Sequence, residues 1–102
     1  MKVYVVESHY GYFNEKRVVL NGVFTDDKAA DDCAEKIRTR YRTAFRMGDP
    51  TDNVEDWMDL SLSDLHELHE MQKDYHESIK YNGTIVNEYE LPRHHFDIQL
   101  ML

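Results

Sequence analysis

The chain has 102 residues, 41% of them hydrophobic, and its twenty acidic and twelve basic side chains give a formal charge of −8 with histidine neutral. That length suits one domain and excludes a large cofactor-binding fold such as a TIM barrel of ~250 residues. No run approaches the ~20 apolar residues of a membrane span, no signal-peptide pattern opens the chain, and a single cysteine excludes a disulfide framework or a Cys-rich zinc site. A soluble cytoplasmic protein is expected.

Lys2 to Tyr10 is rich in β-branched and aromatic residues, which suit a pleated surface. Val3 to Val6 are apolar on both faces, so this strand is expected in the sheet interior, covered on both sides for part of its length. Gly11 to Glu15 supply a turn, and the chain returns from Arg17 to Phe24. Asn21-Gly22 fits either a tight hairpin or a bulge inside one longer strand, and the very short arms of the hairpin favour the bulge.

A helix follows, capped by Thr25 or Asp26. At about 100° per residue, Ala29, Ala30, Cys33, Ala34, Ile37, Tyr41, Ala44 and Phe45 share one face. Acids crowd its start and bases its end, matching the helix dipole, and Gly48 with Asp49-Pro50 stops it. Residues 49–61 form an acidic connection around Trp57 and Met58. Ser61 or Ser63 then caps a second helix whose stripe is Leu65, Leu68, Met71, Tyr75 and Ile79. Asn82-Gly83 is expected to end it through a left-handed residue. From Thr84 to Leu91, Ile85, Tyr89 and Leu91 alternate with Glu88 and Glu90, as in a strand with one wet face. Pro92 breaks it, and Phe96, Ile98 and Leu100 alternate as an extra C-terminal edge strand would. The order predicts an α+β fold: a small antiparallel sheet, β-β-α-α-β, with two helices packed on one face.

The opening Met1-Lys2-Val3-Tyr4-Val5-Val6, the Gly22-Val23-Phe24 step into the first helix and the closing Glu88-Tyr89-Glu90-Leu91 strand resemble a group of short, uncharacterised α+β proteins of bacteria and their phages. The match covers about a third of the chain and rests on structural positions. It implies a fold and a phage or bacterial setting, and it carries no reaction or catalytic residue.

The chemistry-bearing residues make few patterns. His66-Glu67-Leu68-His69 has its histidines three apart, whereas a zinc-protease helix needs them four apart with Glu after the first. His69 and His76 share a helix face, and His94-His95 with Asp97 lie where neighbouring strand residues point oppositely. Cys33 falls on an apolar face, where a thiol behaves as a small hydrophobe. Ser8-His9 is no triad, and the glycines are too dispersed for a phosphate loop. No catalytic residue, metal ligand or cofactor is assigned.

Charge layout is more informative. From Asp49 to Glu77 ten carboxylates stand against Lys73 alone, a net −9, and Glu67, Glu70, Asp74 and Glu77 lie away from the apolar stripe. Such a surface repels nucleic acid and speeds encounter with a basic protein. With Trp57 as an aromatic anchor, these four carboxylates are the expected partner-binding residues. The expected function is a small acidic, non-enzymatic protein-binding module, of the kind a phage accessory protein or anti-defence inhibitor would be. It would dock its acidic helix on the basic, nucleic-acid-binding surface of a host protein. The alternative is a small enzyme or ligand-binding protein with a histidine–carboxylate metal site. A homodimer through the Phe96–Leu102 edge is compatible with both. Protonating all six histidines would move the formal charge from −8 to −2. Attraction to a basic partner should therefore weaken as pH falls through the ordinary histidine range near 6.5, and tighter binding at pH ~5.5 than at pH ~8 would contradict this.

Overall fold

Val6 has no exposed surface, and the rest of the architecture is arranged around it. The computed structural model describes residues 1–92. Strands β1 (Lys2–Tyr10), β2 (Arg17–Phe24) and β3 (Tyr81–Glu90) form an antiparallel sheet in the order β2-β1-β3, so the first strand is central, as its apolar run implied. Helices α1 (Asp27–Met47) and α2 (Leu62–Lys80) complete an α+β fold, joined by short 3-10 turns at Pro50–Asn53 and Trp57–Asp59. The extra strand expected around Phe96–Leu100 lies outside the described residues.

The register of β1 against β2 shifts between Val6, opposite Gly22, and Glu7, opposite Leu20, leaving Asn21 as the extra residue. This is the bulge within one strand. It turns Asn21 Oδ1 toward the Ser8 hydroxyl, which donates to it at 2.6 Å.

Helix α1 begins and ends where its sequence signals lie. Asp26 accepts from the Lys28 N–H at 3.2 Å, and Gly48, at φ +75°, closes the helix by donating its N–H to the Ala44 carbonyl. Ala30 and Ala34 are fully buried against Val6, with Cys33, Ile37, Tyr4, Phe24 and Val86 packed around them. Small side chains at both positions let the helix axis approach the sheet closely. The Arg38 guanidinium then clamps α1 to β3, donating to the Thr84 carbonyl at 2.7 and 3.2 Å. The helices do not share the sheet equally: α1 lies across all three strands, whereas α2 packs on α1 and on the Pro50–Asn53 turn.

Two expectations require correction. Asn82-Gly83 does not end α2. The helix stops at Lys80 and passes directly into β3 with Tyr81 already extended, and Gly83, at φ +146°, lies within the strand next to a register shift opposite His9 and Tyr10. The Lys80 carbonyl is satisfied by the Gly11 N–H at 2.7 Å, so no capping glycine is needed there. The faces of β3 are also reversed. Thr84 is buried and Val86 packs on the core, while Ile85 and Tyr89 are exposed. Thr84 is tolerated inside because its hydroxyl bonds to those of Ser8 (2.8 Å) and Tyr81 (2.6 Å).

Close approach at Ala34 should be the most volume-sensitive feature of the fold. Ala34→Leu is expected to destabilise the protein by ~1–3 kcal/mol through overpacking, read as a lower urea midpoint. An unchanged midpoint would show that α1 does not depend on a small residue there.

Candidate functional site: an acidic tip and an interhelical groove

The acidic connection is built from a succession of carboxylate caps. Asp49 accepts from the Thr51 hydroxyl (2.7 Å) and N–H (2.9 Å), and these two bonds hold its carboxyl below the usual carboxylate range. Asp56 accepts from the Met58 N–H at 2.9 Å, opening the turn that carries Trp57. Ser61 and Asp64 then form a reciprocal capping box at the start of α2, Ser61 Oγ accepting from the Asp64 N–H at 3.1 Å. Negative charge at these N-termini complements the local dipoles.

Between the caps, apolar side chains project outward. Trp57 is 49% exposed, Met58 92% and Leu62 86%, and Asp52, Glu55, Asp56, Asp59, Asp64, Glu67 and Glu70 are exposed around them. Lone exposed hydrophobes are ordinary, but three of them within six residues of an acidic stretch are a concentration of apolar surface.

Of the five residues expected to bind a partner, the structure places Trp57, Glu67 and Glu70 on this exposed surface. Asp74 and Glu77 are engaged elsewhere. Asp74 receives a two-pronged bond from Arg40 of α1, Nε to Oδ2 at 3.1 Å and Nη2 to Oδ1 at 2.5 Å, and this pairing raises the guanidinium pKa further. Glu77 accepts from Arg17 Nη2 at 2.8 Å, and the same guanidinium lies 4.7 Å from the centre of the Tyr10 ring. Both carboxylates therefore tie α2 to the body of the protein, a role their helical spacing did not reveal.

The apolar stripe of α2 is incompletely covered. Leu65, Leu68 and Tyr75 are half-buried and Met71 and Ile79 exposed, because α1 reaches only one flank of the stripe. A cleft of about 520 Å³ opens between the helices, lined by Ala44, Met47, Pro50, Leu68 and Met71 and closed at one end by the Arg40–Asp74 pair. Across Leu68 and Met71 a second hollow of about 260 Å³ continues against Val54 and Leu60, with Asp64 and Glu67 on its wall. The two share Leu68 and Met71, so they form one apolar groove along α2 with carboxylates beside it. Sequence reasoning missed this groove. Its signal was a stripe longer than a single partner helix can cover.

The remaining candidates are placed as follows. His66, His69 and His76 are exposed, and the nearest approach to a histidine–carboxylate pair among them is His76 Nε2 at 4.0 Å from Asp49 Oδ2. Among the described residues no three histidine, cysteine or carboxylate side chains converge as a metal site would require. His94, His95 and Asp97 lie outside the described residues. Cys33 is partly buried beside the core. Among the described residues no helix is long and apolar enough to cross a membrane.

A tyrosine cluster closes the far end of the α1–sheet contact. Tyr10, Tyr41 and Tyr81 meet with ring centroids 4.6–5.8 Å apart, Tyr10 edge-on to the other two, and the Tyr10 hydroxyl donates to that of Tyr41 at 3.1 Å. Burial pushes the Tyr41 phenol well above its usual value near 10. No family model, curated protein or solved structure matches the chain.

Because the Tyr41 pKa is raised in the folded state, the neutral phenol is stabilised by folding. That contribution is complete below pH ~10 and is lost as pH rises through the range between the unfolded and the folded value. Tyr41→Phe should flatten the fall in stability above pH ~10, measured by denaturation at stepped alkaline pH. An equally steep fall in the variant would place the responsible group elsewhere.

Proposed function

We propose that the chain is a non-enzymatic docking module that receives a basic, amphipathic segment of another protein in the α1–α2 groove, with Trp57, Met58 and Leu62 as apolar anchors. The observation that carries this reading is the placement of exposed apolar side chains within the most acidic stretch of the molecule. Apolar side chains at i, i+3, i+4 and i+7 of an incoming helix would enter the groove, a recurring mode of peptide recognition. Met47, Met58 and Met71 suit it, because unbranched thioether side chains adapt to varied apolar shapes. The surrounding carboxylates would select a cationic partner, speed its encounter and disfavour nucleic acid itself. A basic nucleic-acid-binding protein of a host cell fits this chemistry, and in the phage setting that the sequence resemblance implies, occupying its surface would inhibit it.

Trp57 is the only tryptophan, so its fluorescence reports on the site directly. Titration with a synthetic Lys/Leu amphipathic helical peptide is expected to shift Trp57 emission to the blue, with affinity falling as salt is raised. Replacing Glu67 and Glu70 together by lysine should weaken binding ~10-fold or more, since each reversal removes an attraction and adds a repulsion. Asp74 and Glu77 are left intact because arginines of other elements already occupy them. Emission indifferent to the peptide, or affinity insensitive to the double reversal, would refute the reading.

A further inference from the structure

Helix α1 covers one face of the sheet; on the other, Val3 of β1 is buried, but among the described residues much apolar surface stays open. There Val18, Leu20 and Val23 of β2 and Ile85 and Tyr89 of β3 are each between 43% and 63% exposed, and half-buried Val5 of β1 lies between the two edges. We propose that this face is the interface of a homodimer, in which two copies press their sheets together about a two-fold axis.

Three observations favour a second copy as the occupant. The first is the size of the core. Among the described residues the buried apolar side chains are Val3, Val6, Tyr10, Ala30 and Ala34, and two of these are alanines. So thin a core is characteristic of small domains that gain stability from association. The second is area. Three strands ~4.8 Å apart and eight residues long at ~3.3 Å per residue make a plate on the order of 15 by 26 Å. Two such plates in contact cover roughly 800 Å² of plate area in total, and more once side-chain relief is counted, which places the contact at the small end of specific interfaces.

The third is charge. In a chain of net charge −8, the only acidic strand residue on this face among the described residues is Glu7, which already accepts from Asn87 Nδ2 at 2.7 Å and has His9 Nε2 3.6 Å away. Depletion of charge from an apolar centre is the compositional mark of an interface core. Face-to-face packing of two twisted sheets at ~10 Å is an established way to bury such surfaces.

This interface lies on the opposite side of the sheet from the helical groove, so it stands or falls separately from the docking reading. The test is sedimentation equilibrium of the full chain over a range of micromolar concentrations. The expected mass is twice the 12.2 kDa of one chain. Leu20→Glu changes an exposed side chain, so the fold should survive, as checked by circular dichroism. Because two-fold symmetry places the change twice in the interface, the dimer dissociation constant should rise ~100-fold or more. The milder Leu20→Thr should raise it ~10-fold, and Met58→Glu, in the acidic tip, should leave it unchanged. A wild-type chain that remains at 12.2 kDa throughout overturns the proposal, whether residues 93–102 or a different protein then covers the face. A dimer equally tight with Leu20→Glu overturns it as well.

Discussion

The contact of Ala30 and Ala34 with Val6 governs the remainder of the structure. All three are fully buried, and together they set how near α1 can lie to the sheet. With the helix seated that closely and held by Arg38 on the Thr84 carbonyl, α1 occupies the centre of one face. Helix α2 must then bury its stripe against the flank of α1 rather than on the strands. Both open surfaces follow from this one constraint: a groove where α2 is half covered, and a sheet face that neither α1 nor α2 covers.

Polar groups reinforce the arrangement without enlarging the core. Each hydroxyl has one proton to give, so with Ser8 donating to Asn21 the chain of bonds runs from Tyr81 through Thr84 and Ser8 to the β2 bulge. It joins all three strands beneath α1. Arg40–Asp74 and Arg17–Glu77 perform the corresponding task for α2. These are partly exposed pairs worth little individually, yet they decide the functional geography of the helix. They draw two carboxylates inward and leave the negative surface centred on Glu67, Glu70 and the tip around Trp57.

Much of the fold was legible from local chemistry. Asp26, Gly48 and Ser61 mark helix ends because capping depends on residues within one turn. The bulge at Asn21-Gly22 and the central position of β1 followed from strand length and from apolarity on both faces. The errors arose where a distant partner overrode the local signal. Gly11 supplies from across the chain the hydrogen bond that a C-terminal cap would have provided. The apolar side of β3 was expected inside, yet Thr84 takes that place because Ser8 and Tyr81 meet its hydroxyl. Asp74 and Glu77 were grouped with Glu67 and Glu70 because helical spacing is blind to arginines on other elements.

The chain's own residues determined its class, its element order, the caps that delimit both helices and the concentration of negative charge between Asp49 and Glu77. These depend on periodicity, turn chemistry and composition, which act over a few residues. Only the tertiary structure decided which face of β3 is buried, which carboxylates are engaged by arginines, and where apolar surface remains open. Those outcomes depend on the distance between α1 and the sheet, which the buried alanines set but no local pattern records.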